Sequence, residues 1–134
     1  MAEKKKSSMN LDENVASALC YVLTWVTGII FFFLEKENKT VRFHAMQSII
    51  TFLPLTILGY IFQGILGVSY GTTTSTMYGY SYSVPTATLS PFYYVGILIY
   101  LVVFVLWLVL MFKAYQGEKF KLPVVGDIAE NQVK

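Results

Sequence analysis

VASALCYVLTWVTGIIFFFL, Val15–Leu34, runs for twenty residues without an Asp, Glu, Lys, Arg or His. As one helix it would rise about 30 Å, the thickness of a bilayer's hydrocarbon core. Ser17, Cys20, Thr24, Thr27 and Gly28 recur within it at spacings of three and four. That lines small residues along one helix face. In lipid such stripes mark where helices approach closely, so this face is expected to pack inward. A single transmembrane helix is the first expectation. The alternative is a helical hairpin turning near Thr27 and Gly28. Its arms of about ten residues would reach only about 15 Å, and protein would have to shield its turn.

The segments on either side follow the same logic. Residues 1–14 form a polar tail with Lys4, Lys5 and Lys6. The run after them is too long for the apolar part of a signal peptide and lacks a small-residue cleavage site, so it is read as retained. Asn10 or Asp12 is placed to cap the first helix. A second apolar run covers about 45–68, with Pro54 inside it and Gly59, Gly64 and Gly67 lightening its second half. Gln63 is its only strongly polar side chain after Gln47 and is expected to bond to a neighbouring helix. A third run, about 92–112, carries aromatics at both ends, as membrane-interface belts do. From Ala45 to Phe112 there is no ionisable acid, base or histidine. Gly117, Pro123 and Gly126 punctuate a polar close at 113–134 that ends in a short turn capped by Asp127.

Composition agrees. The chain has 134 residues, is 55% hydrophobic and only 13% charged, with a mean hydropathy of +0.56. A typical globular domain is about 25% charged. The expected fold class is therefore an all-α integral membrane protein. It has three transmembrane helices, or four if Val15–Leu34 is a hairpin. Between the second and third runs lies VSYGTTTSTMYGYSYSVPTATLSP, Val68–Pro91, without a single charge. Tyr78, Tyr80 and Tyr82 alternate with Gly79 and Ser81, a period of two that suggests a short strand or hairpin inside the loop at 69–91.

Lysine and arginine near span ends favour the cytoplasmic side. Lys36, Lys39 and Arg42 follow the first run, and Lys113, Lys119 and Lys121 follow the third. The expectation is a multi-pass cell-membrane protein with the loop 35–44 and the C-terminus cytoplasmic and the Tyr-rich loop outside. Three spans would then put Lys4, Lys5 and Lys6 outside. A hairpin would keep all the bases on one side.

The connecting stretch EKENKTVRFHAMQSII, Glu35–Ile50, reads as the wet start of the second helix. Asn38 or Thr40 caps it, Glu35 pairs with Lys39 if the first helix extends that far, and Arg42 sits at phosphate depth with its stem snorkelling. Lys36, Lys39, Arg42, His44 and Gln47 are the candidate contacts for lipid or a partner. Ser17, Cys20, Thr24, Thr27, Gly28, Pro54, Gly59 and Gln63 are the candidate helix-packing residues. Asn38-Lys39-Thr40 matches a glycosylation sequon but falls on the inner side. The lone His44 is a poor metal ligand set, so neither a metal nor a cofactor is expected. Bases scattered in threes do not make a nucleic-acid surface.

LDENVASALCYVLTWVTGIIFFFLEKENKTVRFHAMQSI resembles the opening of a family of small uncharacterised archaeal and bacterial membrane proteins. These are distantly related to the twenty-kilodalton subunit of the chloroplast inner-envelope import translocon. VRFHAMQS is the most specific stretch, and KAYQGEKFKLPVVGDIAE resembles the family's close. The resemblance implies four helices and a part in protein translocation or membrane-complex assembly. The residues themselves offer no nucleophile–base set, no phosphate-binding glycine loop and no intramembrane relay of ionisable groups. The expectation is a non-enzymatic scaffold or accessory subunit that contacts the bilayer and other membrane helices, as a homo-oligomer or within a complex. The alternatives are a small oligomeric channel lined by Gln63, Pro54 and the glycines of the second run, and an outward-facing binder using Tyr70, Tyr78, Tyr80 and Tyr82.

Overall fold

The computed structural model describes residues 5–133. Lys4, one of the three tail lysines, lies outside them, as do residues 1–3 and 134. The elements in chain order are α1 (Glu13–Val22), α2 (Trp25–Leu34), α3 (Lys39–Tyr60), a π-helical turn (Ile61–Ile65), β1 (Val68–Met77), β2 (Tyr80–Leu89), α4 (Pro91–Tyr115) and α5 (Val125–Gln132). The chain divides into two compact units. One holds the chain up to Leu55 together with Val102 onward, and the other is Thr56–Leu101.

The run Val15–Leu34 does not form one helix. It breaks at Leu23–Thr24 into two helices of ten residues each. Thr24 takes φ 55°, ψ −123°, a left-handed region that a β-branched residue rarely visits. The chain doubles back there. The start of α1 and the end of α2 meet, because Asn38 Nδ2 donates to Glu13 Oε2 at 2.7 Å and Ser8 N donates to Glu35 Oε2 at 2.8 Å. At 1.5 Å per residue each arm is about 15 Å long, half a bilayer core. The turn falls three to four residues before the expected Thr27 and Gly28.

A turn in an apolar medium needs its backbone polar groups satisfied, and side chains take up several of them here. Thr27 Oγ1 accepts from Leu23 N at 3.2 Å and donates to Cys20 O at 3.1 Å. Ser48 Oγ of α3 donates to Thr24 O at 2.6 Å. Trp107 Nε1 of α4 donates to Tyr21 O at 2.6 Å. The turn is thus held by two other helices. Replacing Trp107 by Phe should cost about 1 kcal/mol, the usual worth of such an interhelical bond, measured by dodecyl sulfate unfolding in detergent.

Among the described residues, two helices are long and apolar enough to cross a membrane, Lys39–Ile65 with 27 residues and Pro91–Tyr115 with 25. At about 40 and 37 Å they exceed a bilayer core. Their apolar side chains are largely uncovered: Leu98 is 61% exposed and Phe104 54%, unlike the core helices of a water-soluble domain. The expectation of three or four transmembrane helices is therefore corrected to two candidate membrane-crossing helices and a short helical hairpin.

The all-α expectation is corrected as well. Val68–Leu89 forms an antiparallel hairpin with ten residue pairs, from Val68 opposite Leu89 to Met77 opposite Tyr80. Its turn is Tyr78-Gly79, both at positive φ (52° and 81°), the two-residue geometry that matches strand twist. Threonine, valine and tyrosine suit a pleated backbone; Tyr80 and Tyr82 alternate along β2, while Tyr78 stands in the turn. In the same unit, small residues let the end of α3 and the start of α4 approach closely. A Cβ added at Gly59 would stand 2.9 Å from the Tyr100 ring. One added at Gly96 would stand 2.6 Å from Gln63 Cβ.

At the C-terminal end, α4 stops at Gly117 (φ 82°). Glu118 N donates to Lys113 O and Gly117 N to Ala114 O, both at 3.0 Å, the bonding of a Schellman stop. Asp127 lies inside the first turn of α5 and is not its cap; Val124 holds that position. The main core of the larger unit is Ala16, Cys20, Tyr21, Val41, Ala45, Phe52, Leu110 and Ala114. A smaller cluster joins Phe43 to Ala129 and Val133 of the C-terminal segment.

Candidate functional site

The polar residues of Glu35–Ile50 split into two groups, both in the larger unit. The first closes the α2–α3 turn around Glu35, which is fully buried. Its carboxylate accepts from Ser8 N at 2.8 Å, Glu37 N at 3.1 Å, Asn38 N at 3.0 Å and the Ser8 hydroxyl. Burial acts to raise its pKa. The hydrogen bonds from Asn38, Ser8 and Glu37 outweigh that and hold it below the ordinary value of 4.5. Glu35 therefore does not pair with Lys39; α2 ends at Leu34, and the carboxylate turns back to the tail.

Asn38 caps α3. Its Oδ1 accepts from Thr40 N at 3.0 Å and Val41 N at 3.2 Å, and its Nδ2 is bonded to Glu13. The sequon asparagine is thus engaged on both sides of its amide. Asn38→Ala should destabilise the protein by about 1 kcal/mol through the cap, and more if the Glu13 bond is counted, read from the same unfolding curve.

The second group is a buried polar chain. Gln47 is fully buried and His44 nearly so. Tyr21 Oη lies 3.0 Å from His44 Nδ1 and accepts from Gln47 Nε2 at 3.3 Å. In the arrangement that satisfies both, Tyr21 donates to His44. Gln47 also donates to Phe120 O at 3.0 Å and accepts from Leu122 N at 3.4 Å. This one amide therefore clamps the segment after α4 against α3. Buried polar groups fully paired in this way fix one packing arrangement.

Arg42 and Lys119 flank the chain. The Arg42 guanidinium carbon lies 4.9 Å from the Phe32 ring centre, and Lys119 Nζ lies 4.7 Å from that of Phe43. Lys119 and Lys121 pair with Glu130, and Lys113 pairs with Glu118. Hydrogen bonds from Lys121 and Lys119 hold the Glu130 carboxyl below its ordinary value.

The structure distributes the remaining sequence candidates as follows. Ser17, Cys20 and Gly28 are buried; Cys20 Sγ reaches Ala16 O at 3.2 Å and Val41 O at 3.7 Å. Gly28 packs on α3, where an added Cβ would stand 2.9 Å from Ala45 O. Thr24 and Thr27 build the hairpin turn. Pro54 is inside α3 and exposed. Gly59 meets Tyr100, and Gln63 packs on Gly96. Lys36 and Lys39 are exposed. Tyr70, Tyr78 and Tyr80 are highly exposed, and Tyr82 about half so.

Sequence reasoning missed Glu35 as a buried anchor, and with it Ser8, Tyr21 and Trp107. Tyr21 lies four residues after Ser17, on the small-residue face, and that spacing was the available signal. Ser8 and Trp107 bond to residues 27 and 86 positions away, beyond any local pattern.

Residues 3–129 match the model of the magnetosome magnetite crystal formation protein family. The chain is 46% identical over 125 residues to a UPF0132 membrane protein of Methanocaldococcus jannaschii, covering 93% of this chain and 92% of that protein. A second protein of that name from the same organism is 39% identical over 92% of this chain and 71% of its own length. One from Archaeoglobus fulgidus is 42% identical over 127 residues, 92% of this chain and 97% of its own. No solved structure matches. The chain thus belongs to the magnetosome magnetite crystal formation protein family, alongside archaeal relatives that carry the name UPF0132 membrane protein.

Proposed function

We propose that the chain is a non-enzymatic membrane protein that works as a scaffold or accessory subunit and offers its uncharged β-hairpin to a partner. One observation carries this reading. The polar side chains suited to chemistry, His44, Tyr21, Gln47 and Glu35, are buried and consumed by bonds within the fold, while Val68–Leu89 presents a nearly continuous run of exposed hydroxyls and tyrosines. The tail lysines Lys5 and Lys6 share an end with Lys36 and Lys39, because Lys6 O accepts from Asn38 Nδ2 at 3.4 Å. Positive-inside bias then favours that end as cytoplasmic and the hairpin as outside.

The family's description names magnetite crystal formation. For the hairpin, any such part would run through hydroxyls and tyrosines, since Val68–Pro91 contains no carboxylate. A translocation role rests on the translocon resemblance alone. The packing of Gln63 onto Gly96 supports a helix contact over a pore lining. Photo-crosslinkers placed at Tyr78, Tyr80 and Tyr82 in cells should give a discrete adduct that a Tyr60 probe does not. No adduct at any of the three would overturn the reading. So would solute flux in liposomes that Gln63→Leu abolishes, which would establish the channel.

A further inference from the structure

We propose that the outer edge of β1 pairs with the same edge of a second copy of this chain, joining two hairpins into a four-stranded antiparallel sheet about a two-fold axis. The inference rests on the reading of the hairpin as the contact surface, and it names the partner. The sheet has two strands, so among the described residues each strand keeps one unpaired edge. The register shows which backbone groups lie there. The two-residue turn is closed by Met77 and Tyr80, a pair that exchanges hydrogen bonds, and pairs alternate from it between bonded and non-bonded. Tyr70, Thr72, Thr74 and Thr76 therefore direct N–H and C=O away from β2. On β2 the outward positions are Ser81, Ser83, Pro85 and Ala87. Pro85, opposite Thr72, interrupts that edge because it has no N–H to give. β1 contains neither a proline nor a charge, two of the devices that keep an edge from pairing.

The hairpin is also short of support. Tyr70 is 84% exposed on one face and Tyr80 80% on the other. A lone two-stranded hairpin is marginal in water, and further strands supply the pairing it lacks. A copy of the chain suits the edge. Because one edge of each hairpin is open and the other is interrupted, pairing closes at two copies instead of propagating. Val68–Pro91 carries no charge, so the copies meet without repulsion. Centring the overlap of two antiparallel β1 strands, with outward residues facing outward residues, puts Thr72 or Thr73 on the axis. Either register sets threonine opposite threonine and Tyr70 opposite threonine, both favourable cross-strand pairs.

The test is a disulfide scan of the full chain, purified in detergent, in a Cys20→Ala background. Single cysteines replace residues 70–76 of β1 and, on β2, Ser83 and Ala87, and each protein is oxidised with copper phenanthroline. Linked dimer should peak at 72 or 73 and be lost within two residues on either side, as each cysteine moves away from its own copy. Ser83→Cys and Ala87→Cys should give none, since the two β2 strands would lie about 14 Å apart, three strand spacings, beyond disulfide reach. Without oxidant, light scattering should find the wild type a dimer and Thr74→Lys a monomer. Ser83→Lys, which adds the same charge directly opposite Thr74 on β2, should stay a dimer. Thr74→Pro removes an N–H that β2 does not use, and should also be a monomer. Equal linkage from β1 and β2, no linkage from any β1 position, or a monomeric wild type would overturn the proposal. In that event a photo-adduct in cells between Tyr78, Tyr80 or Tyr82 and a different protein would leave the hairpin's role as contact surface standing. The lack of any adduct would sink both.

Discussion

Glu35→Gln should lower the stability of the detergent-solubilised protein by about 3 kcal/mol, at the upper end for a charged buried hydrogen-bond acceptor. The wild-type carboxylate takes bonds from three backbone N–H groups and one hydroxyl. An amide in its place would turn an NH2 toward some of those donors and leave them unpaired. Stabilities of folded domains are of the order of 5–15 kcal/mol, so the loss is large. It should also be local. Ser8 would no longer be held to the α2–α3 turn, and trypsin should cut after Lys6 faster than in the wild type. Ser8→Ala removes the hydroxyl's bond to Glu35 and the long ones it accepts from Lys36 N and Glu37 N at 3.4 Å, but leaves the three backbone donors on the carboxylate, so its effect should be about 1 kcal/mol.

The same site sets an acid limit. Glu35's folded pKa is depressed, so its contribution is fully present above the ordinary carboxylate value. It is lost as pH falls through that value to the folded one. The wild type should therefore lose stability on acidification below about pH 4.5, and Glu35→Gln should lose less over the same window. Parallel pH curves for the two proteins would contradict the account of this carboxylate.

Gly28→Val should separate α2 from α3. An added Cβ would lie 2.9 Å from the backbone oxygen of Ala45 and 3.1 Å from Ser48. A backbone atom cannot swing aside as a side-chain end can, so the helices must move apart. Overpacking of this kind costs about 1–3 kcal/mol, and the shift should also break the Ser48–Thr24 bond that closes the hairpin turn. Gly64→Ala is the control. Its Cβ would meet only the Tyr60 ring, at 3.3 Å, which can rotate. Equal unfolding midpoints for Gly28→Val and the wild type would mean that α2 does not pack on α3 through this glycine.

These two sites also show what the sequence could convey. Asn38 as a cap followed from its residue type and its place before a helical run, a local rule. A short strand or hairpin near Tyr78–Tyr82 followed from period two, but neither the ten-residue length of each strand nor the turn at Tyr78-Gly79, inside the alternating stretch, was written in that pattern. The break at Leu23–Thr24 had no such signal. Leu-Thr is not a turn pair, and hydropathy is continuous across it. What holds Thr24 in a left-handed conformation is Ser48 from α3 and Trp107 from α4, information distributed over the chain. Gly28, named both as a packing residue of the small-residue stripe and as the turn of the hairpin alternative, packs closely on α3 and does not make the turn. Glu35 looked like one more charge in a wet loop because its partner Ser8 lies 27 residues upstream. Gln47 likewise meets its clamp at Phe120 from 73 residues away. Lipid hides helix breaks from a hydropathy reading, since both a span and a half-depth hairpin are apolar throughout.

The most direct measurement is the sidedness of Lys6 and Lys36, the two exposed residues that bracket the Val15–Leu34 run. Each is replaced by cysteine, one at a time, in a Cys20→Ala background and labelled with a membrane-impermeant maleimide in right-side-out and inverted vesicles. The hairpin places both on one side of the membrane, so both should label in the same vesicle preparation. Labelling in opposite preparations would mean that Val15–Leu34 crosses the bilayer once, and the fold described above would be wrong at its first element.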